Sequence, residues 1–232
     1  MSPDLQRARR IAWLTSARDG RPEIALDAWL GRLPEPGDPF LAGVVISRVP
    51  PDDGRDPGRR LITRLERASI PWACIDVPGR RLGGGSAWRH DADRSILAAI
   101  REVAASDVLM IGHVWWCTAL LHAAIRCVNI HPAEPRGTIG TERRVIDALL
   151  TSGADRTGLT AHEVGEEHDR GRVVASVSAP LPPRWPGWPR STIDRLSIVD
   201  LRSRLLAGFT VEVMRTMADQ VLDVERPAPC VR

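Results

Sequence analysis

At 232 residues the chain is long enough to bury a proper core, and one domain, or one with an appendage, is the natural expectation. A hydrophobic content of 43% with 26% charged residues is ordinary for a soluble globular protein, and the net charge is only +3. All 32 basic residues are arginine: a lysine nucleophile or Schiff base is excluded, no Lys/Arg run resembles a nucleic-acid tail, and the guanidinium groups suit carboxylate or phosphate ligands.

In chain order, Ile11–Ser16 is a short apolar run that predicts a buried parallel strand. A turn follows, and Pro22 suits the first turn of a helix through Ile24, Leu26, Trp29 and Leu30 that stops at the Pro/Gly-rich Leu33–Pro39. Leu41–Ser47 is the second strand and Val49–Gly58 a polar loop. Arg59–Ser69 has helical spacing, Pro71–Val77 reads as the third strand, and Pro78–Arg89, with Gly83-Gly84-Gly85-Ser86, as a loop. The glycines do not join a strand to a helix at dinucleotide-fingerprint spacing. Asp91–Ala105 is an amphipathic helix, Asp107–Gly112 the fourth strand, Thr118–Arg126 a short helix and Cys127–Ile130 the fifth strand.

The pattern then changes. Glu142–Leu150 reads as a helix, and Gly158–Val164 and Arg172–Ser178 as two strands joined by the Glu166–Gly171 turn, an antiparallel addition. The Pro/Trp segment Leu181–Pro189 leads into a long helix, Ile193–Val221, with an apolar stripe at Leu201, Leu205, Phe209, Val213 and Met217. The fold expected is therefore α/β: a Rossmann-like, mainly parallel sheet with helices on both faces, an antiparallel strand addition and a long C-terminal helix. Residues 1–180 form the catalytic unit; residues 181–232 form a crossover and helix packed on the same domain. Cys74, Cys117, Cys127 and Cys230 form no CxxC pair and read as free thiols, mostly buried. The first ten residues are polar, and no stretch approaches the roughly 20 apolar residues of a membrane span, so a cytoplasmic protein without membrane contact is expected.

In such sheets ligands sit beyond the carboxyl ends of the strands, where Ser16, Ser47, Gly112 and His131 fall. Asn129 and His131 lie two apart and point to one side of a strand. Two readings stay open for them: a cap bonded to backbone at a strand end, or a reactive amide and imidazole. Downstream, Glu166-Glu167-His168-Asp169 supplies a carboxylate, and Asp169 beside His131 would suit acyl transfer. His113, His131, His162 and His168 match no zinc spacing, so no metal is expected. Trp185 and Trp188 read as packing residues of the crossover or of a dimer contact.

From Arg10 to Pro180 the chain resembles the formyltransferase family, whose members act on glycinamide ribonucleotide, methionyl-tRNA or amino sugars. The resemblance is carried by Ala42–Arg48, Asp107–Gly112, Asn129-Ile130-His131-Pro132, Thr157-Gly158, and Asp169-Arg170-Gly171 followed by Val173-Val174-Ala175-Ser176-Val177. It implies a formyl donor, 10-formyltetrahydrofolate, and an amine acceptor. Asn129 would donate to the tetrahedral oxyanion, protonated His131 would stabilise its charge, and Asp169 would hold the imidazole and relay the amine's proton. The pterin would lie against Gly112, His113, Val114, Trp115 and Trp116, with Val164, Glu166 and His168 at its edge.

Departures from the family point to a specialised small-molecule acceptor. Ser16-Ala17-Arg18-Asp19-Gly20 lacks the Gly/Ser pattern of a phosphate-binding turn, so a backbone nest for phosphate is not expected there. Glu134 stands where the family has an apolar residue, which would change the pocket floor. The C-terminal domain of the tRNA enzyme has no counterpart, so nucleic acid is not the expected partner. A formyltetrahydrofolate hydrolase on the same fold, and a non-catalytic binding or assembly relative, are the alternatives. A homodimer is compatible with the sequence.

Overall fold

The computed structural model describes residues 9–18, 20–48, 58–77, 87–113, 117–181 and 192–220. The elements run β1 (Arg10–Thr15), α1 (Arg21–Gly31), β2 (Phe40–Arg48), α2 (Arg59–Arg67), β3 (Trp72–Asp76), α3 (Ala87–Glu102) and β4 (Asp107–Ile111). They continue α4 (Ala119–Ala124), β5 (Arg126–His131), α5 (Glu142–Ser152), β6 (Arg156–Glu163), β7 (Val173–Pro180) and α6 (Thr192–Asp219). One seven-stranded sheet has the order β3-β2-β1-β4-β5-β6-β7. The pairs from β3 to β5 are parallel; β5–β6 and β6–β7 are antiparallel. The expected fold is the fold observed.

The central strands β1, β2 and β4 form because nearly every residue in them is apolar and both of their faces are covered. Alternate residues enter opposite cores. Ile11, Trp13, Leu109, Ile111, Val128 and Ile130 pack with α1, α2 and α6, while Ala12, Leu14, Val108, Met110 and Cys127 pack with α3 and α4. Burying each large aliphatic side chain contributes about 1.5–3 kcal/mol. Trp13 also donates its indole N–H to Met214 Sδ, at 3.3 Å, so α6 is tied to the central strand.

Two sequence expectations shift. Helix α3 begins at Ala87, not Asp91, because no breaker stands between them, and it ends at Glu102, ahead of Ala104, which turns the chain at φ 50°. On α6 the expected stripe is correct from Phe209 onward, but Leu201 and Leu205 are only half-buried. Ile198, Arg202 and Leu206 are buried instead. A strict four-residue step turns about 400° on a helix, so the stripe drifts about 40° per step and an i+3 step must reset it. Leu206 to Phe209 is that step. The Gly83–Ser86 run, Trp185, Trp188 and Cys230 lie outside the described residues; of the remaining thiols Cys117 and Cys127 are buried and Cys74 is half-buried, and none of the three is in a disulfide.

Candidate active site

The strand order reverses between β1 and β4: the chain builds outward to β3 on one side, then returns to add β4 and β5 on the other. Loops leaving strands at such a point part and leave a crevice at the carboxyl edge. A cavity of about 340 Å³ opens there, with Asn129, His131, His162, His168 and Asp169 on its wall.

The register of the sheet sets Asn129 beside Met110 on β4 and opposite His162 on β6. Asp169 is brought back to them by the turn after β6. Its backbone takes a left-handed φ of 53°. Two residues later a Cβ on Gly171 would fall 1.7 Å from the Glu163 carbonyl oxygen, so only glycine lets the chain close this tightly on the end of β6. The closure is sealed by the Glu163 N–H, which donates to the Arg172 carbonyl at 2.9 Å.

Asp169 is the hub. Its side chain is only 5% exposed. Oδ1 accepts from Asn129 Nδ2 at 3.4 Å, and Oδ2 from the Gly140 N–H at 3.2 Å. His131 Nδ1 lies 3.4 Å from Oδ2, His168 Nε2 3.2 Å from Oδ2, and His162 Nε2 3.5 Å from Oδ1. Burial pushes the Asp169 carboxyl up, but the contacts with His162, His131, His168 and Gly140 outweigh it and hold it below the usual carboxylate range.

His131 is oriented from its other side. Nε2 lies 2.8 Å from the Thr138 carbonyl oxygen, which can only accept, so Nε2 carries a proton and Nδ1 faces Asp169. Burial lowers the imidazole pKa; the Thr138 carbonyl and Asp169 raise it but do not restore its ordinary value. Nδ1 faces the Asp169 carboxylate, also an acceptor, so the protonated His131 that the resemblance implies would be held on both sides: burial works against that form, and Thr138 and Asp169 work for it.

Gly112 and His113 follow β4. Gly112 has φ 65°, and a Cβ there would sit 3.7 Å from Arg21 Nε, so the Arg21 guanidinium lies over the end of β4. His113 Nδ1 is 3.1 Å from Ser47 Oγ, and burial of the ring drives its pKa down to about 3. Gly112, His113, Val164 and His168 line the cavity. The exposed Glu166 stands off it, and Glu167 lines it. Val114, Trp115 and Trp116 lie outside the described residues. Glu134 is not on this floor: it lies against Gly158, with Oε1 3.9 Å from Arg156 Nε, and borders neighbouring cavities. Among the described residues no group of three His, Cys, Asp or Glu is arranged to hold a metal.

Sequence spacing offers His162 only as a candidate ligand and does not join it to Asn129. Its partnership follows from the β5–β6 register, which no local motif encodes. Arg21, Glu142 and Gly140 also join the wall from the helix starts and from the loop after β5.

No protein-family model matches the chain, and no curated protein matches its sequence. Solved structures do match. The glycinamide ribonucleotide transformylase 1 of Symbiobacterium toebii superposes with a TM-score of 0.67 at 22% identity, over 95% of this chain and 92% of that one. The phosphoribosylglycinamide formyltransferase of Bacillus halodurans gives 0.62 at 19%, over 91% and 96%. That of Coxiella burnetii, solved in complex with CHES, gives 0.66 at 16%, over 91% and 87%. The fold of this chain is thus the formyltransferase fold. The motifs between Arg10 and Pro180 led one to expect that family, and the structures this chain is similar to are phosphoribosylglycinamide formyltransferases.

Proposed function

We propose that the protein is a folate-dependent N-formyltransferase that moves a formyl group from 10-formyltetrahydrofolate to an amine of a small-molecule acceptor other than tRNA. One observation carries this reading: Asn129 and His131 from β5 and Asp169 from the β6–β7 turn converge on one wall of a cavity at the topological switch point.

The residues present suit the donor. The cavity lies in the size range of small-molecule sites. Met110, Cys117 and Val164 supply an apolar flank, and the turn from Val164 to His168 borders it with backbone groups. When bound, the donor would bring the electrophilic formyl carbon. Asn129 Nδ2 is the hydrogen-bond donor for negative charge growing on the formyl oxygen; its present bonds are long and readily exchanged. His131, held between the Thr138 carbonyl and Asp169, is placed to stabilise that charge when protonated, and Asp169 Oδ2 can take the proton that the acceptor amine must lose.

Calorimetric titration with 5-formyltetrahydrofolate tests donor binding, and absence of saturable binding refutes the reading. Incubation with the formyl donor alone separates transferase from hydrolase: the transferase retains the formyl group until an amine is added, whereas steady formate release would identify the hydrolase.

A further inference from the structure

Arg202 sits on the buried face of α6 and is 3% exposed. Its Nε donates to Thr157 Oγ1 at 2.9 Å. Nη1 and Nη2 are buried and have no hydrogen-bond partner among the described residues. A guanidinium stripped of water at both terminal nitrogens is costly unless a negative group meets it. The charges that act on it are Glu142, attractive, and Arg21, repulsive. Glu142 Oε2 is itself 3.9 Å from Arg21 Nη1, so of these three charges two are positive and the one carboxylate is shared. Burial lowers the Arg202 pKa to about 10, which still leaves the group charged at neutral pH.

Arg202 lines a second cavity of about 220 Å³. Its walls include Ile24, Ile111, Leu159 and Leu206, apolar residues between the sheet and helices α1 and α6. Gly112, Ile130 and Pro132, with Arg21 and Glu142, line both this cavity and the catalytic one. The two therefore meet over the carboxyl edges of β4 and β5. In the turn after β1 the Ala17 N–H is already given to Thr15 Oγ1 at 3.0 Å.

We propose that Arg202, assisted by Arg21, is the anion subsite for the acceptor: the amine that receives the formyl group carries a carboxylate or phosphate on an apolar body that occupies the second cavity. This rests on the formyl-transfer reading, but the anion site can be tested without it. The wild-type protein, Arg202→Met and Arg202→Lys are melted at constant ionic strength in chloride, in inorganic phosphate and in butyrate. In the wild type, phosphate or butyrate raises Tm saturably, because a ligand of the folded state stabilises it. The oxyanion that saturates at lower concentration is the one the site takes. Arg202→Met melts higher than the wild type in chloride, since an uncompensated buried charge is gone, and loses the anion response. Should Arg202→Met not fold, Arg202→Lys answers: it keeps the charge but loses the fork, and its half-saturating anion concentration rises at least tenfold. An undiminished anion response in these variants, or no response in the wild type, overturns the proposal.

A second arm uses the formyl donor with butylamine, 4-aminobutyrate and 2-aminoethyl phosphate. The wild type prefers an anionic amine over butylamine by at least tenfold in kcat/KM, and Arg202→Lys loses most of that preference. An Arg202-dependent anion response with no transfer to any of the three supports the subsite and counts against the formyl-transfer reading. Transfer without anion preference or anion response removes the subsite and leaves that reading standing.

Discussion

His162 on β6 stands opposite Asn129 on β5 in the antiparallel register, and their side chains meet at 3.4 Å. The Glu163 carbonyl, 3.1 Å from His162 Nδ1, can only accept, so Nδ1 carries a proton. Nε2 lies between the Asn129 amide, at 3.4 Å, and Asp169 Oδ1, at 3.5 Å. Asn129 Nδ2 donates to that same Oδ1, so His162 is a positioning residue for the oxyanion donor and its carboxylate partner.

This arrangement separates two classes of loss. Asn129→Ala removes the donor, and transfer should fall by about 100- to 1,000-fold. His162→Phe leaves the donor but frees the amide to turn, and a loss of about 10- to 100-fold is expected, the range for groups that orient a reactive partner. The loss should fall on kcat with donor affinity unchanged, and His162→Gln, whose carbonyl can still accept, should recover most of it. Equal rates for His162→Phe and the wild type would show that the amide needs no such holder.

The state of His131 is open to a pH profile. Burial lowers its pKa, so the His131 limb of kcat/KM should have its midpoint below about 6.5. Activity declines with rising pH through that midpoint if the imidazolium stabilises the oxyanion, whereas a neutral Nδ1 acting as base would give a rise over the same range. His131→Ala should lose about 100- to 10,000-fold and the limb with it. A fully active His131→Ala would remove the imidazole from the mechanism.

Much of this could be read in the sequence because it is local. The parallel strands are short apolar runs with turn residues at their ends, and their alternation with amphipathic helices allows few topologies. Asn129 and His131 share a strand face by the period of two, and Asp-x-Gly marks the tight turn that returns Asp169. What the sequence hid depends on packing. His162 meets Asn129 through the β5–β6 register, which no motif announces. Arg202 escaped because an arginine on a helix reads as solvated, and because the four-residue stripe through Leu201 and Leu205 placed it off the buried face. The lowered pKa of His131 comes from burial, which a sequence does not display.

Acid stability follows from the same burial. The unfolded chain binds a proton at each histidine near pH 6.5, whereas folded His113 does so only at about 3. The unfolded state therefore gains protons first, and stability falls as pH drops from about 6.5 toward 3. His131, also lowered, adds to the same side. Asp169 is lowered as well, so its stabilisation is present above the unfolded value of about 3.9 and is lost only below it. Between about pH 6.5 and 4 the decline contributed by these three groups is thus due to the histidines. Urea unfolding midpoints measured across that interval should drop steadily in the wild type and less steeply in His113→Gln. Identical slopes would show that the ring titrates normally when folded.

Gly171→Ala probes how Asp169 is delivered. A methyl group there would fall 1.7 Å from the Glu163 carbonyl oxygen, inside any tolerable contact, and the obstacle is backbone, not a side chain that can swing away. The turn must open. Residues Gly165 to Arg172 belong to neither core, although Val164 and Val174 on either side pack against them. Opening it should cost on the order of 1–3 kcal/mol, as local strain at a special backbone position does. Activity should suffer more than stability, because a carboxylate displaced by about 1 Å from His131 and Asn129 costs on the order of 100-fold in rate. The expected result is a folded variant with a modestly lower Tm, nearly unchanged 5-formyltetrahydrofolate affinity and a transfer rate near that of Asp169→Ala. A Gly171→Ala protein with wild-type transfer would mean that Asp169 reaches its partners by some route other than this turn.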